Sequence, residues 1–256
     1  MADMAVCSVD FFGQALGRLN NIEVIVPQAP GPFAVMYLLH GMGDDHTSWH
    51  RGMSMVRYLQ ELNLMAVMVN GARSFYTNDP RSGGYAYEDH VVKDVVGFVD
   101  ATFPTVAKRQ ARGLAGYSMG GYGAMMLALR HPDMFSVVSA HSSALFFGHA
   151  DQPPEETYDD DLMRALPPGE YDCFALARRS PEKARELAIR FDCGRDDSLL
   201  EASRSFHAHL EKLEIPHEYV EHDGGHDWVY WDTHIRRTLE FAVENLKTGS
   251  RRPKRS

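Results

Sequence analysis

Gly116-Tyr117-Ser118-Met119-Gly120 is a G-x-S-x-G pentapeptide placed between an apolar run and an Ala-, Met- and Leu-rich stretch. A strand that turns sharply into a helix can hold a serine there in a strained backbone conformation. Side chains beside it would clash, so the turn calls for glycine on both sides. The helix N-terminus also brings backbone N–H groups to the place where an oxyanion would form. The chemistry that fits is nucleophilic attack by the hydroxyl of Ser118. The alternative is a chance Gly-Ser turn.

A serine nucleophile needs a base, and the base needs an acid to orient it. In strand–turn–helix nucleophile folds these follow in the chain order serine, acid, histidine. Of the 13 histidines, His226 sits in the loop Gly224-Gly225-His226-Asp227-Trp228, after the last strand-like run. That position favours it over its neighbours His207, His209, His217 and His222. The acid belongs after the preceding strand, in Cys193-Gly194-Arg195-Asp196-Asp197-Ser198. Asp196 and Asp197 both qualify by position, and spacing does not choose between them; Asp192 and Asp223 are weaker candidates. An oxyanion would need two donors. The backbone N–H of Met119 is one. The loop His40-Gly41-Met42-Gly43 offers the other, from Met42 or failing that from Gly41. Asp44, Asp45, His46 and His50 follow, but their spacing matches no metal motif, and Asp with Thr47 and Ser48 reads equally as a helix start.

The elements that must hold these loops alternate. Strand-like runs cover 22–26, 35–39, 65–70, 111–117, 135–140, 187–192 and 217–221, several of them continuously apolar, as in strands covered on both faces of a parallel sheet. Helical patterns fall at 87–103, 119–130, 198–213 and 228–246. The first carries Val91, Val92, Val95, Val96 and Val99 at helical spacing, although valine is a poor helix former. The expected class is therefore α/β, with a mostly parallel central sheet and helices on both faces. The alternation breaks at about 142–185, a Pro/Gly-containing stretch with Asp151, Glu155, Glu156, Asp159, Asp160 and Asp161. It reads as a cap or lid inserted into a single domain spanning 1–246, with a basic tail at 247–256.

The chain has 256 residues, 24% charged, with a formal net charge of −9. An acidic chain argues against a nucleic-acid surface. No apolar stretch is long enough to span a membrane. Three cysteines without a C-x-x-C pair read as reduced thiols. The first residues show no secretory signal, so the expected compartment is the cytoplasm.

Taken together, the motifs resemble the esterase family of α/β-hydrolases, which includes tributyrin esterases, S-formylglutathione hydrolases, acetyl-xylan and feruloyl esterases and mycolyltransferases. Tyr37-Leu38-Leu39-His40-Gly41-Met42 resembles the oxyanion segment. Gly116-Tyr117-Ser118-Met119-Gly120-Gly121-Tyr122-Gly123-Ala124 resembles the nucleophile turn. Cys193-Gly194 with Asp197 and Leu199 resembles the acid segment, and Gly225-His226-Asp227-Trp228 with Trp231 the histidine segment. The small tributyrin or acetyl esterases are the most similar members. The resemblance implies an α/β-hydrolase fold and assigns Ser118 as nucleophile, Asp197 as acid and His226 as base, with Met42 and Met119 as oxyanion donors. It implies a small-molecule ester of short acyl chain as substrate, with a thioester or a carbohydrate-bound acetyl or feruloyl ester as the alternatives. No metal or organic cofactor is implied, and a homo-oligomer is compatible. His40, Gly41, Tyr76, Tyr117 and Trp228 are candidate pocket residues. So are 74–78, Tyr85 and Tyr87, with aromatic packing as the competing reading.

Overall fold

The computed structural model describes residues 3–149 and 160–247. One eight-stranded sheet runs in the order β1-β2-β4-β3-β5-β6-β7-β8. Its strands are β1 (Met4–Gly13), β2 (Arg18–Pro27), β3 (Ala34–Leu39), β4 (Leu64–Val69), β5 (Arg112–Tyr117), β6 (Val137–His141), β7 (Ala188–Gly194) and β8 (His217–His222). β1 with β2 and β2 with β4 pair antiparallel; from β4 through β3 to β8 the neighbours are parallel. The mostly parallel α/β-hydrolase sheet expected from the sequence is present, with an antiparallel hairpin added at one edge.

Every residue of β3 and β4 is buried, because helices cover both faces. Alternate side chains of β3 serve two cores. Val35, Tyr37 and Leu39 belong to the core that also takes in buried side chains of α4 (Val96–Thr102), α5 (Met119–Arg130) and α9 (Leu200–Lys212). Met36 and Leu38 belong to the core that also takes in buried side chains of α1 (Ser48–Gly52), α2 (Met55–Leu59) and α10 (Trp228–Asn245). Burying one such side chain is worth about 1.5–3 kcal/mol, so continuous apolar runs outweigh any local preference for alternation.

The valine-rich stretch is helical throughout, as α3 (Tyr87–Asp89), a six-residue π turn (His90–Val95) and α4. Burial of Val91, Val92, Val95, Val96 and Val99 decides against valine's weak helix propensity. The strand β1 was not expected from the sequence. It is an edge strand, and Val6, Ser8, Asp10 and Phe12 alternate outward, so it lacks the continuous apolar signature.

The segment between β6 and β7 carries helices rather than a plain loop: α6 (Asp160–Ala165), α7 (Cys173–Arg179) and α8 (Pro181–Ala184). Its acidic run, Asp151, Glu155, Glu156 and Asp159, lies outside the described residues, as does the basic tail beyond Lys247. The near end of α7 is clamped to the body by Glu88, which is 2% exposed. Glu88 accepts from Arg130 Nε at 2.8 Å, from His131 Nε2 at 2.7 Å and from the Tyr171 hydroxyl at 2.8 Å. Burial alone would raise its carboxyl, but these donors outweigh burial and hold it at about 2. Among the described residues, no helix is long and apolar enough to cross a membrane.

Candidate active site

Ser118 lies between β5 and α5 at φ 55° and ψ −121°, a conformation that costs a non-glycine residue about 1–3 kcal/mol. The flanking glycines make it possible. A Cβ on Gly116 would overlap the carbonyl of Gly120, and one on Gly120 would overlap the carbonyl of Leu39. Three backbone bonds over-determine the turn. Ser118 N–H donates to His141 O at 3.0 Å, and Ser118 O accepts from Tyr122 N at 3.1 Å and from Ala144 N at 3.2 Å.

The structure brings Ser118, His226 and Asp197 together across 108 and 29 residues of sequence. Ser118 Oγ is 3.0 Å from His226 Nε2. His226 Nδ1 is 3.0 and 3.1 Å from the two carboxylate oxygens of Asp197. The Asp197 side chain is fully buried while that of His226 is 32% exposed, so the carboxylate is shielded from water and the imidazole keeps an open face. Burial alone would raise the Asp197 carboxyl. Its bonds to His226 and to the Leu199 N–H outweigh that and hold it below the usual range. An ionised Asp197 places the imidazole proton on Nδ1 and leaves Nε2 free to accept from Ser118.

Geometry decides among the aspartates where spacing did not. Asp196 is exposed and only its backbone is engaged, to Gly224 O at 3.0 Å. Asp223 pairs with Arg195 at 2.5 Å, and Asp192 is buried in a separate network. In the Asp44–His50 segment, Asp45 accepts from the backbone and hydroxyl of Thr47 at 2.8 and 2.6 Å. Asp44 accepts from the Tyr117 hydroxyl at 2.9 Å. The helix-start reading is the one the structure adopts there. Among the described residues, no group of three or more His, Cys, Asp or Glu side chains could hold a metal ion.

The Esterase family matches residues 13–241, a span that contains all three of these residues. The chain belongs to the esterase family. It is 27% identical to an acetyl esterase of Caldicellulosiruptor saccharolyticus over 93% of this chain and 98% of that one. Of solved structures, it is similar to fluorophosphonate-binding serine hydrolase F of Staphylococcus aureus, at 26% identity, a TM-score of 0.85 and coverage of 94% and 98%. It is also similar to the S-formylglutathione hydrolase of that organism, at 27%, 0.82, and 94% and 99%. The protein is a serine hydrolase of carboxylic esters.

In this esterase, four expected pocket residues act from behind the site instead. His40, Tyr76 and Tyr117 have no exposed surface, and Gly41 is buried. His40 Nε2 accepts from Gly71 N at 2.9 Å, which leaves Nδ1 to donate to Gly41 O at 2.8 Å. Burial lowers the His40 pKa, in keeping with this neutral tautomer. Tyr76 donates to His40 O at 3.0 Å. Together they brace the loop that presents Met42. Tyr117 bonds Ser48 at 2.8 Å and stacks on Trp231 with centroids 4.5 Å apart. Phe75 and Thr77 are likewise buried, and Tyr87 is buried with its hydroxyl held by Arg18 at 2.6 Å. Tyr85 is 44% exposed and stacks under Arg18. Met42 and Trp228 are half-buried, so both keep some surface for a ligand. Val229, next to Trp228 in the first turn of α10, is exposed.

Proposed function

We propose that this esterase hydrolyses short-chain acyl esters, acetyl to butyryl, of a small alcohol through an acyl-enzyme on Ser118. The observation that carries the proposal is the continuous chain from Ser118 Oγ through His226 to buried Asp197, each link about 3 Å. Ser118 Oγ attacks the ester carbonyl while His226 Nε2 takes its proton. The oxyanion is met by the N–H groups of Met119, at the start of α5, and Met42. These loops follow β5 and β3, which pair as neighbours with Leu39 opposite Gly116. His226 then gives the proton to the departing alkoxide. Water, deprotonated by His226, releases the carboxylic acid and restores Ser118. Asp197 holds the imidazole in register and stabilises the imidazolium.

The short acyl chain is supported by the acetyl esterase relative. A thioester substrate is the second reading, favoured by the similarity to an S-formylglutathione hydrolase; the same three residues would serve it. We infer the cytoplasm as the compartment, supported by the free thiols of Cys7, Cys173 and Cys193. Hydrolysis of p-nitrophenyl acetate, butyrate, octanoate and palmitate, with S-formylglutathione beside them, tests the substrate class. Acetate and butyrate should be cleaved fastest. Preference for palmitate would contradict the short-chain reading, and a dominant rate on S-formylglutathione would select the thioester.

A further inference from the structure

Five residues before Asp197, on β7, Asp192 is buried with no exposed side-chain surface. Its Oδ1 accepts from His141 Nδ1 and from the Tyr230 hydroxyl, each at 2.9 Å, and its Oδ2 from Arg190 Nη1 at 2.5 Å. Thr238 Oγ1 holds the far side of His141, 2.8 Å from Nε2, and Ser139 holds Thr238 at 2.6 Å. Burial would raise the Asp192 carboxyl, but His141 and Arg190 outweigh it and keep the group ionised.

The elements tied to this carboxylate are those that carry the triad. β6 supplies His141, whose backbone carbonyl accepts the N–H of Ser118 at 3.0 Å. β7 supplies Asp192, whose own carbonyl accepts from Ser142 N at 2.9 Å, and the chain runs on to Asp197. α10 supplies Tyr230. Its ring lies against the His226 loop, 2.9 Å from where a Cβ on Gly224 would stand, at a glycine with φ +126°. Its backbone N–H bonds the Asp227 carboxylate at 2.9 Å.

Net stability is a poor reason for a carboxylate in this place, since an apolar core residue usually does as well or better. Directional hydrogen bonds do something apolar contact does not: they select one relative placement of the groups they join. We propose that Asp192 is a positioning residue, which through His141 and Tyr230 locks the nucleophile turn, the acid loop and the histidine loop into one register. The proposal rests on the Ser118–His226–Asp197 reading.

Two variants separate positioning from bulk stability. Tyr230→Phe keeps the ring against Gly224 and removes only the hydroxyl. Asp192→Asn keeps the shape and removes the charge. Both are assayed with p-nitrophenyl acetate well below their melting temperatures. Tyr230→Phe should lose about tenfold in kcat with KM within about twofold, because small misplacements of reacting groups cost rate rather than ground-state binding. Its rate of labelling by a fluorophosphonate should fall by the same factor. Asp192→Asn should lose at least as much, and the double variant no more than Asp192→Asn alone, since both cut one tie. If Tyr230→Phe keeps kcat and labelling within about twofold of the wild type while only its melting temperature falls, the positioning role is overturned. Should Asp192→Asn fail to fold, Tyr230→Phe decides alone. A wild type that neither cleaves the ester nor takes the label contradicts the triad itself, and the positioning role falls with it.

Discussion

In the proposed acyl-enzyme reaction one proton passes between Ser118 and His226, and the contact of Nδ1 with Asp197 leaves Nε2 to take it. Asp197→Asn would let the ring adopt the wrong tautomer, and the same change in a serine protease triad costs about 10⁴ in kcat. A comparable loss, with KM little changed, is expected here in steady-state kinetics. His40 makes a second residue-scale prediction. His40→Leu leaves the buried Gly71 N–H and Gly41 carbonyl unpaired, at about 1–3 kcal/mol each. Urea denaturation should show that loss, and kcat should fall with it because the Met42 loop is no longer braced; unchanged kcat would separate the brace from the oxyanion. The serine and the histidine were legible from glycine spacing and chain order, because strained turns leave few choices of residue. Asp197 was not separable from Asp196 by spacing, since both stand in one loop and only the fold turns one inward. His40, Tyr76 and Tyr117 read as pocket residues because an aromatic at a strand end or in a loop, within or beside a motif, has the same sequence signature whether it meets ligand or core.

At the scale of elements, the Glu88 clamp ties α3, the end of α5 and the approach to α7 into one unit. Its folded pKa, about 2 against 4.5 in the unfolded chain, makes it a stabilising group whose contribution is complete above about pH 4.5. The contribution is lost as pH falls from there through about 2. The shift corresponds to about 3 kcal/mol. Glu88→Gln should therefore lower denaturant stability at pH 7, and the gap to wild type should narrow at pH 3; an equal gap at both values would contradict the clamp's charge dependence. The central strands and α5 could be read from the sequence because burial on all sides leaves only apolar and small residues. The edge strand β1 was missed for the opposite reason, one face being in water. The valine-rich helix shows periodicity outlasting propensity, although nothing in the pattern foretold the π turn at His90–Val95.

For the whole molecule, the acidic balance that argued against a polyanion partner also sets its behaviour in solution. With a net charge of −9 and a sequence pI of about 5.8, self-repulsion vanishes near that pH. Light scattering should peak there and disappear at pH 8; scattering that ignores pH would assign any association to apolar contact instead. The sheet gathers the ends of β3, β5, β6, β7 and β8 on one edge, and the three reactive groups reach that edge from three separate loops. In the proposed reaction they act as one unit that carries the acyl group on Ser118. Intact-protein mass spectrometry after brief reaction with p-nitrophenyl butyrate, quenched in acid, tests it most directly. One butyryl adduct per chain is expected, mapped to Ser118 and absent from Ser118→Ala. An adduct on another residue, or full turnover by Ser118→Ala, would contradict it.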